Sequence, residues 1–403
     1  MAYIFKNNQL RGTVHVPPSK SYAHRAIICA SLAQGRSIIH NIDYNDDIEA
    51  TIQAMKALGT IIIKNNDCLE IDGTTTFMKR NVEIDCKQSG STLRFLVPVS
   101  LICETQVHFI GEGELGKRPM NVYYDIFEKQ GIGYLYRENA LDLYIRGMLS
   151  GGVFEIPGDI SSQFISGLLF ALPLMECDSI IRITSPLQSE NYVLMTIDVL
   201  KSFGVHVMYN EGMIIIPGGQ YYKPTDYVVE GDYSAGACFI GANALGNHID
   251  IKGLNKESLQ GDKIINDFIS NNDILEFDGS QCIDIVPMLC LLCTQRLQKT
   301  SIKNIQRLEY KESNRLQGTI DILKALGANI TTQDHHIIIE GCTKLHGASV
   351  SSYHDHRFVM MIAMASTICD GDIIVDDIEC VSKSYPMFIE HFKQLGGVID
   401  VGE

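Results

Sequence analysis

An apolar segment of helix length recurs six times along the 403-residue chain, and each copy begins at Ser or Asp. Successive starts are separated by 70, 72, 71, 52 and 71 residues. Ser and Asp are favourable N-cap residues, because their side-chain oxygens accept hydrogen bonds from first-turn amides. The repeat predicts six buried helices that begin at Ser19, Ser89, Ser161, Asp232, Asp284 and Asp355.

An amphipathic segment follows each apolar one and passes into a β-rich stretch after Gly or Asn. TIQAMKALGTIII and TIDILKALGANI are two of these six segments. Their apolar residues follow i, i+3, i+4 spacing, which indicates a helix with one buried face. The terminal Gly supplies a left-handed C-cap that ends the helix. Each repeat is therefore predicted to be a buried helix, a strand, an amphipathic helix and a strand.

The repeats divide into two groups of three, and 403 residues exceed the size of one ordinary domain. Proline-containing stretches at 17–20 and 223–226 could join the groups. This predicts a discontinuous domain of 1–18 plus 225–403 and a second domain of 19–224, with the first strand, 3–16, belonging to the C-terminal half. Helix N-termini of both domains would then face a shared ligand cleft that attracts anions.

The composition excludes several classes of function. A net charge of −15 argues against nonspecific binding to nucleic acid or to an anionic membrane surface. Neither a signal peptide nor an apolar stretch of membrane-spanning length is expected, and the twelve dispersed cysteines suit a reducing cytoplasm. Cys290 and Cys293 form a CxxC that could be a redox or zinc site, but the absence of flanking ligands favours helix packing in the core. We expect no metal centre.

Basic residues concentrate where the predicted helices begin. Their joint placement predicts a site for a small molecule with phosphate and carboxylate groups, which Arg binds in a bidentate manner. Gly90 would let such a ligand approach the backbone closely. The basic residues concerned are Lys20, Arg25, Arg94, Arg118, Lys311, Arg315, Arg357 and Lys383.

Two acids, Asp284 and Glu312, lie within this basic set. Asp284 could be a helix N-cap, and Glu312 could be an ion-pair partner that fixes the basic side chains. Alternatively, the two acids could exchange protons with a bound anion.

Eight sequence blocks, in order along nearly the whole chain, resemble those of the enolpyruvyl transferases and, within them, the EPSP synthases. The resemblance implies an α/β fold of two domains, each made of three βαβαββ units in an inside-out α/β barrel. It also implies transfer of the enolpyruvyl group of phosphoenolpyruvate to the 5-hydroxyl of shikimate 3-phosphate, without a cofactor, by a monomer that glyphosate inhibits. In chain order the blocks are PPSKSYAHRA, GKRPM, SSQFISGLLFALPL, SENYVLMT, VEGDYSAG, RLEYKESNRL, DHRFVMMIAM and SKSYP.

The resemblance also implies roles for individual residues. Asp284 would accept the hydroxyl proton, Glu312 would exchange a proton with C3 of phosphoenolpyruvate, and Lys20 could assist either transfer. The residues implied for shikimate 3-phosphate are Lys20, Ser21, Arg25, Ser161, Ser162, Gln163, Ser189, Tyr192, Asp284 and Lys311. Those implied for phosphoenolpyruvate are Lys20, Gly90, Arg118, Gln163, Arg315, Arg357 and Lys383.

The chain departs from the family pattern at Asn314, at Glu309, at 88–91 (QSGS) and at 384–385 (SY), which bears on the affinity for phosphoenolpyruvate. Two alternatives remain open. A UDP-N-acetylglucosamine enolpyruvyl transferase would carry Lys-Asn in place of Lys20-Ser21 and often a loop cysteine, which the GEGELGKRPM stretch lacks. A noncatalytic anion-binding protein on the same scaffold would need the basic residues but not the two acids.

Overall fold

The computed structural model describes residues 2–79, 81–137, 140–210 and 212–402. The chain forms two compact units: a first unit of Met1–Pro17 plus Gly231–Glu403, and a second unit of Pro18–Glu230. Each unit has its own hydrophobic core. The 223–226 segment lies inside the second unit, where the strand Asp226–Val228 pairs in parallel with Arg36–His40.

Apolar and amphipathic helices alternate along the described chain, as the two sequence patterns predict. In chain order they are α1 Lys20–Leu32, α2 Asp46–Ala57, α3 Gly90–Ser100, α4 Asn121–Gln130, α5 Ser162–Ala171, α6 Glu190–Ser202, α7 Tyr233–Ala244, α8 Ile265–Ser270, α9 Val286–Thr294, α10 Arg315–Ala325, α11 His356–Ser366 and α12 Phe388–Gln394.

Short strands connect these helices and, in the described ranges, form three small sheets in each unit. They are β1 Ala2–Phe5, β2 Arg11–His15, β3 Arg36–His40, β4 Ile61–Lys64, β5 Cys68–Asp72, β6 Asn81–Asp85, β7 Thr105–Gly111, β8 Gly133–Tyr136, β9 Leu141–Gly147, β10 Val153–Ile156, β11 Ser179–Ile183, β12 Met208–Asn210, β13 Met213–Ile216, β14 Asp226–Val228, β15 His248–Lys252, β16 Glu276–Asp278, β17 Thr300–Lys303, β18 Ile330–Gln333, β19 His336–Ile339, β20 Ser349–Val350, β21 Ile373–Val375 and β22 Ile399–Gly402.

The motif that runs from β6 to β9 shows the repeating plan. β6 and β7 flank α3 and pair in parallel, with Val82 opposite Val107. After α4, the β8–β9 hairpin adds antiparallel to β7, which gives the spatial order β6-β7-β9-β8. The strands β10 to β13 and β16 to β19 follow the same βαβαββ order. In two further sheets a strand distant in sequence completes the set, namely β14 beside β3 and β1 between β21 and β22.

The motif that contains α7 and α8 is shorter than the others. Its sheet holds only the parallel pair β2 and β15 among the described residues, and no hairpin occurs between α8 and β16 in that fully described part of the chain. The missing hairpin explains the 52-residue spacing between the fourth and fifth repeat starts.

Five of the six predicted N-caps are confirmed. The side chains of Ser19, Ser89, Ser161, Asp232 and Asp355 each accept a hydrogen bond from a first-turn amide. The prediction for Asp284 as an N-cap is wrong, because this residue lies in a 3₁₀ turn at Ile283–Ile285 and α9 begins at Val286. Pro287 lies in the first turn of α9, a position where its fixed φ and missing N–H are well tolerated.

The first helix of each motif is buried on nearly every side, whereas the second buries one face. In α9 the CxxC residues Cys290 and Cys293 are both 0% exposed. Burial raises the pKa of the Cys290 thiol well above its ordinary value and that of Cys293 to about 12, so both stay protonated and act as core residues. Among the described residues, no helix is long and apolar enough to cross a membrane, and no group of three or more acidic, His or Cys side chains could hold a metal ion.

A buried chain of polar side chains links three helices of the second unit. His24 Nδ1 lies 2.7 Å from Thr51 Oγ1, which lies 2.7 Å from Thr92 Oγ1. The Thr92 hydroxyl in turn donates to Ser89 Oγ at 2.8 Å. Burial is the main reason why the pKa of His24 falls from 6.5 to about 3. His24 is therefore a neutral core residue at physiological pH.

His24 should make the stability of the chain depend on pH in the acidic range. The folded protein keeps His24 neutral down to about pH 3, whereas the unfolded chain binds a proton below its ordinary pKa, so stability is lost as the pH falls below about 6.5. Between about pH 7 and pH 4.5 this one group should remove about 2–3 kcal/mol from the free energy of unfolding. Chemical denaturation of His24→Gln at both pH values should show a pH dependence smaller by about that amount.

His206→Gln is the matched control, since His206 is exposed in the same unit. It should retain the full pH dependence of the wild type. An unchanged pH dependence in His24→Gln would show that His24 titrates normally in the folded protein.

Candidate active site

Two basic residues of α1 in the second unit have different kinds of partner: Lys20 binds a carboxylate, whereas Arg25 binds neutral oxygens. Lys20 Nζ lies 2.7 Å from the carboxylate of Asp47, and both side chains are largely buried. Arg25, 2% exposed, donates to Thr196 Oγ1 at 2.8 Å and to the carbonyls of Ser21 and Tyr192 at 2.7 and 2.9 Å. Burial lowers the pKa of Arg25 to about 10, so its guanidinium still carries a positive charge at neutral pH.

A second group in this unit surrounds the start of α3. Arg94 Nη1 donates to Gln163 Oε1 at 2.9 Å, and Gln163 Nε2 donates to Ser91 Oγ at 3.0 Å. A Cβ atom placed on Gly90 would lie 2.7 Å from Arg118 Nη1 and 3.6 Å from Gln163 Oε1. The predicted residues Gly90, Arg118 and Gln163 are therefore neighbours, and Gly90 is small because a guanidinium occupies the space beside it.

The predicted serines lie at the starts of two further helices. Ser161 caps α5, with Ser162 and Gln163 in its first turn. Ser189 precedes α6 in a left-handed conformation with φ of 55° and is 2% exposed. Tyr192 lies in the first turn of α6 and binds Arg25 through its carbonyl, with the Arg25 guanidinium carbon 5.8 Å from the centre of its ring. The second unit thus brings Arg25 and Tyr192 into contact.

The predicted acids and bases of the first unit form one ionic cluster. Asp284 Oδ1 lies 2.9 Å from Lys311 Nζ and 2.7 Å from Arg315 Nη1. Arg315 Nη2 lies 2.7 Å from the carboxylate of Glu312. Because Asp284 does not cap a helix, its carboxylate is available to these cations. The structure therefore brings together four of the predicted residues, Asp284, Lys311, Glu312 and Arg315.

Arg315 is anchored by a residue that the sequence did not single out for the site. Its Nε and Nη2 donate to the two carboxylate oxygens of Asp355 at 2.7 and 3.1 Å. Asp355 also accepts from the amide of Arg357 at 2.9 Å, so one buried carboxylate caps α11 and orients the guanidinium that starts α10. The signal in the sequence was the N-cap pattern, which indicates a capping role but not a second partner.

The electrostatics of this cluster favour the ionised forms of Asp284 and Arg315 but not that of Lys311. Burial opposes ionisation of Asp284, but Lys311, Arg315 and Arg357 outweigh it and hold its pKa well below the ordinary range. Burial likewise works against the Arg315 cation, yet its carboxylate partners raise the pKa further above the usual value. For Lys311 burial prevails over Asp284, and the pKa is lowered. The cluster therefore contains a buried lysine whose proton is less tightly held than usual.

Two further predicted cations belong to the first unit. Arg357 Nη1 donates to the carbonyl of Ser234 at 2.8 Å, while its buried Nε has no hydrogen-bond partner in the described part of the chain. Lys383, 7% exposed, ends the 3₁₀ turn Glu379–Lys383. The guanidinium of Arg357 therefore keeps a donor that an anion could use.

The departures from the family pattern have structural roles. Asn314 caps α10 by accepting from the amide of Gln317 at 3.1 Å, and Glu309 lies 2.8 Å from His335 Nδ1. Tyr385, 1% exposed, places its hydroxyl 2.7 Å from His391 Nδ1. Ser89 caps α3. Each of these substituted residues has a local partner within its own unit.

Sequence reasoning also missed Asp47, the partner of Lys20, and Ser234, the partner of Arg357. Asp47 follows a predicted helix start, where acids are common for electrostatic reasons alone, so its pairing had no distinctive signal. Ser234 binds Arg357 through its backbone carbonyl, and a contact of this kind cannot be predicted from the type of side chain.

Solved structures share this fold over essentially the whole chain. The EPSP synthase of Acinetobacter baumannii matches with a TM-score of 0.83 at 24% identity, and covers 100% of both chains. The enolpyruvyl transferase NikO of Streptomyces tendae matches with a TM-score of 0.81 at 14% identity, and covers 99% of this chain and 98% of its own. The fold is that of the enolpyruvyl transferases.

Sequence relatives narrow the class. The family model for EPSP synthase (3-phosphoshikimate 1-carboxyvinyltransferase) matches residues 4–392. A 3-phosphoshikimate 1-carboxyvinyltransferase of Clostridioides difficile strain 630 is 48% identical, with 98% of this chain and 97% of the relative covered. One from Clostridium perfringens strain SM101 is 46% identical, with 98% of each covered. The chain belongs to the EPSP synthase family.

Proposed function

We propose that this enzyme transfers the enolpyruvyl group of phosphoenolpyruvate to the 5-hydroxyl of shikimate 3-phosphate and releases phosphate. The product, 5-enolpyruvylshikimate 3-phosphate, leads in the shikimate pathway to chorismate and the aromatic amino acids. The observation that carries the proposal is the full-length match to relatives named for this reaction, at 46–48% identity. The ionic cluster of Asp284, Glu312, Lys311 and Arg315 adds chemical support, because a noncatalytic anion-binding protein would not need its acids.

We assign the substrates by chemistry. Arg25 is a buried cation held only by neutral oxygens in its described contacts, which suits it to the phosphate of shikimate 3-phosphate. Its partners in that role would be Lys20, Ser21, Ser161, Ser162, Gln163, Ser189 and Tyr192, with Asp284 and Lys311 at the ring hydroxyls. Lys20, Gly90, Arg118, Gln163, Arg315, Arg357 and Lys383 would hold phosphoenolpyruvate.

The reaction would proceed by addition and elimination. Glu312 gives a proton to C3 of phosphoenolpyruvate while the 5-hydroxyl oxygen bonds to C2 and loses its proton to Asp284. Removal of a C3 proton from the tetrahedral intermediate then re-forms the double bond as the C2–O bond to phosphate breaks. Arg118, Arg357 and Lys383 would stabilise the phosphate and carboxylate charge throughout.

Arg315 has a more restricted part in this scheme. Its described hydrogen bonds direct three of its five N–H groups at Asp355 and Asp284, and Glu312 lies beside Nη2 as an ion-pair partner, so at most two remain for substrate. Its main task would be to place the two catalytic acids. Asp284 can become an effective base only if its pKa rises, and two anionic substrates close to Lys311 and Arg357 would have that effect.

We further propose that the two compact units are the two domains of the enzyme, that it acts as a monomer, and that it is cytoplasmic. The separate hydrophobic core of each unit supports the first point. The dispersed cysteines, none of them in a disulfide, support the last.

Phosphate release tests the proposed function directly. The enzyme should release phosphate only when phosphoenolpyruvate and shikimate 3-phosphate are both present, and the equivalent mixture with UDP-N-acetylglucosamine should release none. Release with the nucleotide sugar instead would reassign the acceptor. Binding of both shikimate-pathway substrates without any turnover would indicate the noncatalytic alternative.

Asp284→Asn should preserve shikimate 3-phosphate binding and lose most turnover. The carboxamide keeps the size and one acceptor oxygen but cannot take a proton, and a general base typically contributes about 10²–10⁴-fold to the rate. Calorimetry and steady-state assays on the folded variant separate the two effects. Asp273→Asn, an exposed acid of the same unit, is the control and should behave as wild type. Near-normal turnover in Asp284→Asn would remove this residue from the mechanism.

Gly90→Ala should weaken glyphosate inhibition more than phosphoenolpyruvate binding. The added methyl would lie 2.7 Å from Arg118 Nη1, so the guanidinium must shift, and glyphosate, the longer molecule, should tolerate this crowding less. A differential loss of about 1.4 kcal/mol would change discrimination tenfold. The measurement compares the glyphosate inhibition constant with the KM for phosphoenolpyruvate.

Gly133→Ala is the matched control, because a Cβ there lies at an ordinary contact distance of 3.5 Å from its nearest neighbour. It should change neither constant. Equal factors for both ligands in Gly90→Ala, or inhibition that does not compete with phosphoenolpyruvate, would show that Gly90 lies outside the shared pocket.

A further inference from the structure

A buried acid, Asp262, is linked to Arg357 through Ser234, and only one of its two carboxylate oxygens has a hydrogen-bond partner among the described residues. Asp262 belongs to the 3₁₀ turn Gly261–Ile264 before α8 and is 1% exposed. The hydroxyl of Ser234 donates to its Oδ2. Its Oδ1 is buried and has no hydrogen-bond partner among the residues that the structure describes. A buried carboxylate oxygen without a donor is costly, whereas a protonated carboxyl group is not.

Ser234 connects this acid to the candidate active site. Its hydroxyl binds Asp262, and its backbone carbonyl accepts from Arg357 Nη1 at 2.8 Å. Ser234, Arg357 and Asp284 also line one cavity of about 20 Å³, whose other walls are apolar and which has room for about one water molecule. The Arg357 guanidinium is therefore positioned by the Ser234 carbonyl and also lines this small, mostly apolar cavity.

We propose that Asp262 is a positioning residue that, as a neutral acid, holds Ser234 and thereby Arg357 in place for an anionic substrate. This inference rests on the proposed function and adds to it a pH-dependent control of phosphoenolpyruvate binding. Asp262 differs from Asp284 and Glu312 in having no cation in hydrogen-bond contact among its described partners.

The charges around Asp262 determine the direction of the effect. Burial, followed by the negative charge of Asp284, raises its pKa to about 7, and Asp232 acts in the same sense. The hydrogen bond from Ser234 and the charge of Arg357 oppose this rise. The thiol of Cys282 is also close enough to sense Asp262. Asp262 is thus neutral below about pH 7, and above that pH it adds a negative charge beside Arg357.

Anion binding and protonation of Asp262 must then favour each other. A bound anion at Arg357 disfavours ionised Asp262, so by linkage an ionised Asp262 weakens the binding of the anion as the pH rises through about 7. If the anion raises the pKa of Asp262 by about one unit, the affinity differs about tenfold between the two protonation states.

The test is the KM for phosphoenolpyruvate between about pH 6 and pH 8.5 in the wild type and in Asp262→Asn. The carboxamide can still accept from Ser234 but never ionises. The wild-type KM should rise about tenfold over this range, and that of Asp262→Asn should stay within about twofold. Ionisation of the substrate phosphate affects both proteins alike. Asp267→Asn, an exposed acid in α8, is the control and should follow the wild type.

Ser234→Ala provides a second and independent variant. It keeps the carbonyl that binds Arg357 but removes the hydrogen bond that favours ionised Asp262, so the rise in KM should move to higher pH. A wild-type KM that does not rise, an Asp262→Asn KM that rises equally, or an unmoved profile in Ser234→Ala would each overturn the proposal.

Infrared spectroscopy separates this inference from the proposed function. A carboxylic acid carbonyl band should be lost as the pH rises through about 7 in the wild type and should be absent from Asp262→Asn. Adding phosphoenolpyruvate should move the loss of this band upward by about one pH unit. If the band behaves so but no phosphate is released with both substrates, the assigned reaction is wrong and the role of Asp262 toward an anion stands. If phosphate is released and the band is missing, the proposal for Asp262 fails alone.

Discussion

The buried ion pair between Arg315 and Asp355 is the contact on which the rest of the candidate active site depends. Arg315 is 1% exposed and Asp355 is 0% exposed, so either charge alone would be strongly destabilising. Removing one partner of such a pair typically costs about 3–5 kcal/mol. The pair fixes the start of α10 against the start of α11, and the Arg315 guanidinium also forms ion pairs with Asp284 and Glu312. Asp284 and Glu312 have defined positions because the Arg315 side chain, held by Asp355, has a defined position.

In the second unit the buried guanidinium of Arg25 is stabilised by neutral groups and not by carboxylates in its described contacts. Arg25 is bound by two carbonyls and a hydroxyl, so its positive charge is stabilised by dipoles but not cancelled. The Phe95 ring, whose centre lies 5.1 Å from the guanidinium carbon, adds a further weak attraction. An uncancelled buried cation suits the binding of a phosphate, whereas the acid-rich cluster around Arg315 suits proton transfer. The two units therefore carry different kinds of electrostatic site on similar βαβαββ motifs.

The sequence predicts the helices and most of their starts because these depend on local rules. Apolar periodicity, an N-cap such as Ser19 and a terminal Gly all act within one or two helical turns. The prediction of a helix start at Asp284 failed because the local sequence also contains Pro287, a residue favoured in the first turn of a helix, and α9 begins at Val286. The partners of the charged side chains were not predictable, since Arg315 and Asp355 are 40 residues apart and meet only through tertiary packing. Even so, the basic residues and the two acids were identifiable as a set, because each lies near a helix start.

The position of Asp284 shows how a small change in secondary structure alters chemistry. Asp355, at the N-cap of α11, accepts from the amide of Arg357 and from the Arg315 guanidinium and is fully buried. Asp284 lies two residues before α9 begins and is not its N-cap, and its carboxylate binds Lys311 and Arg315. Its side chain remains 21% exposed, whereas that of Asp355 is fully buried. Of the two acids that contact Arg315 from distant parts of the chain, Asp284 and Asp355, only Asp284 is therefore open to a hydroxyl group of a ligand.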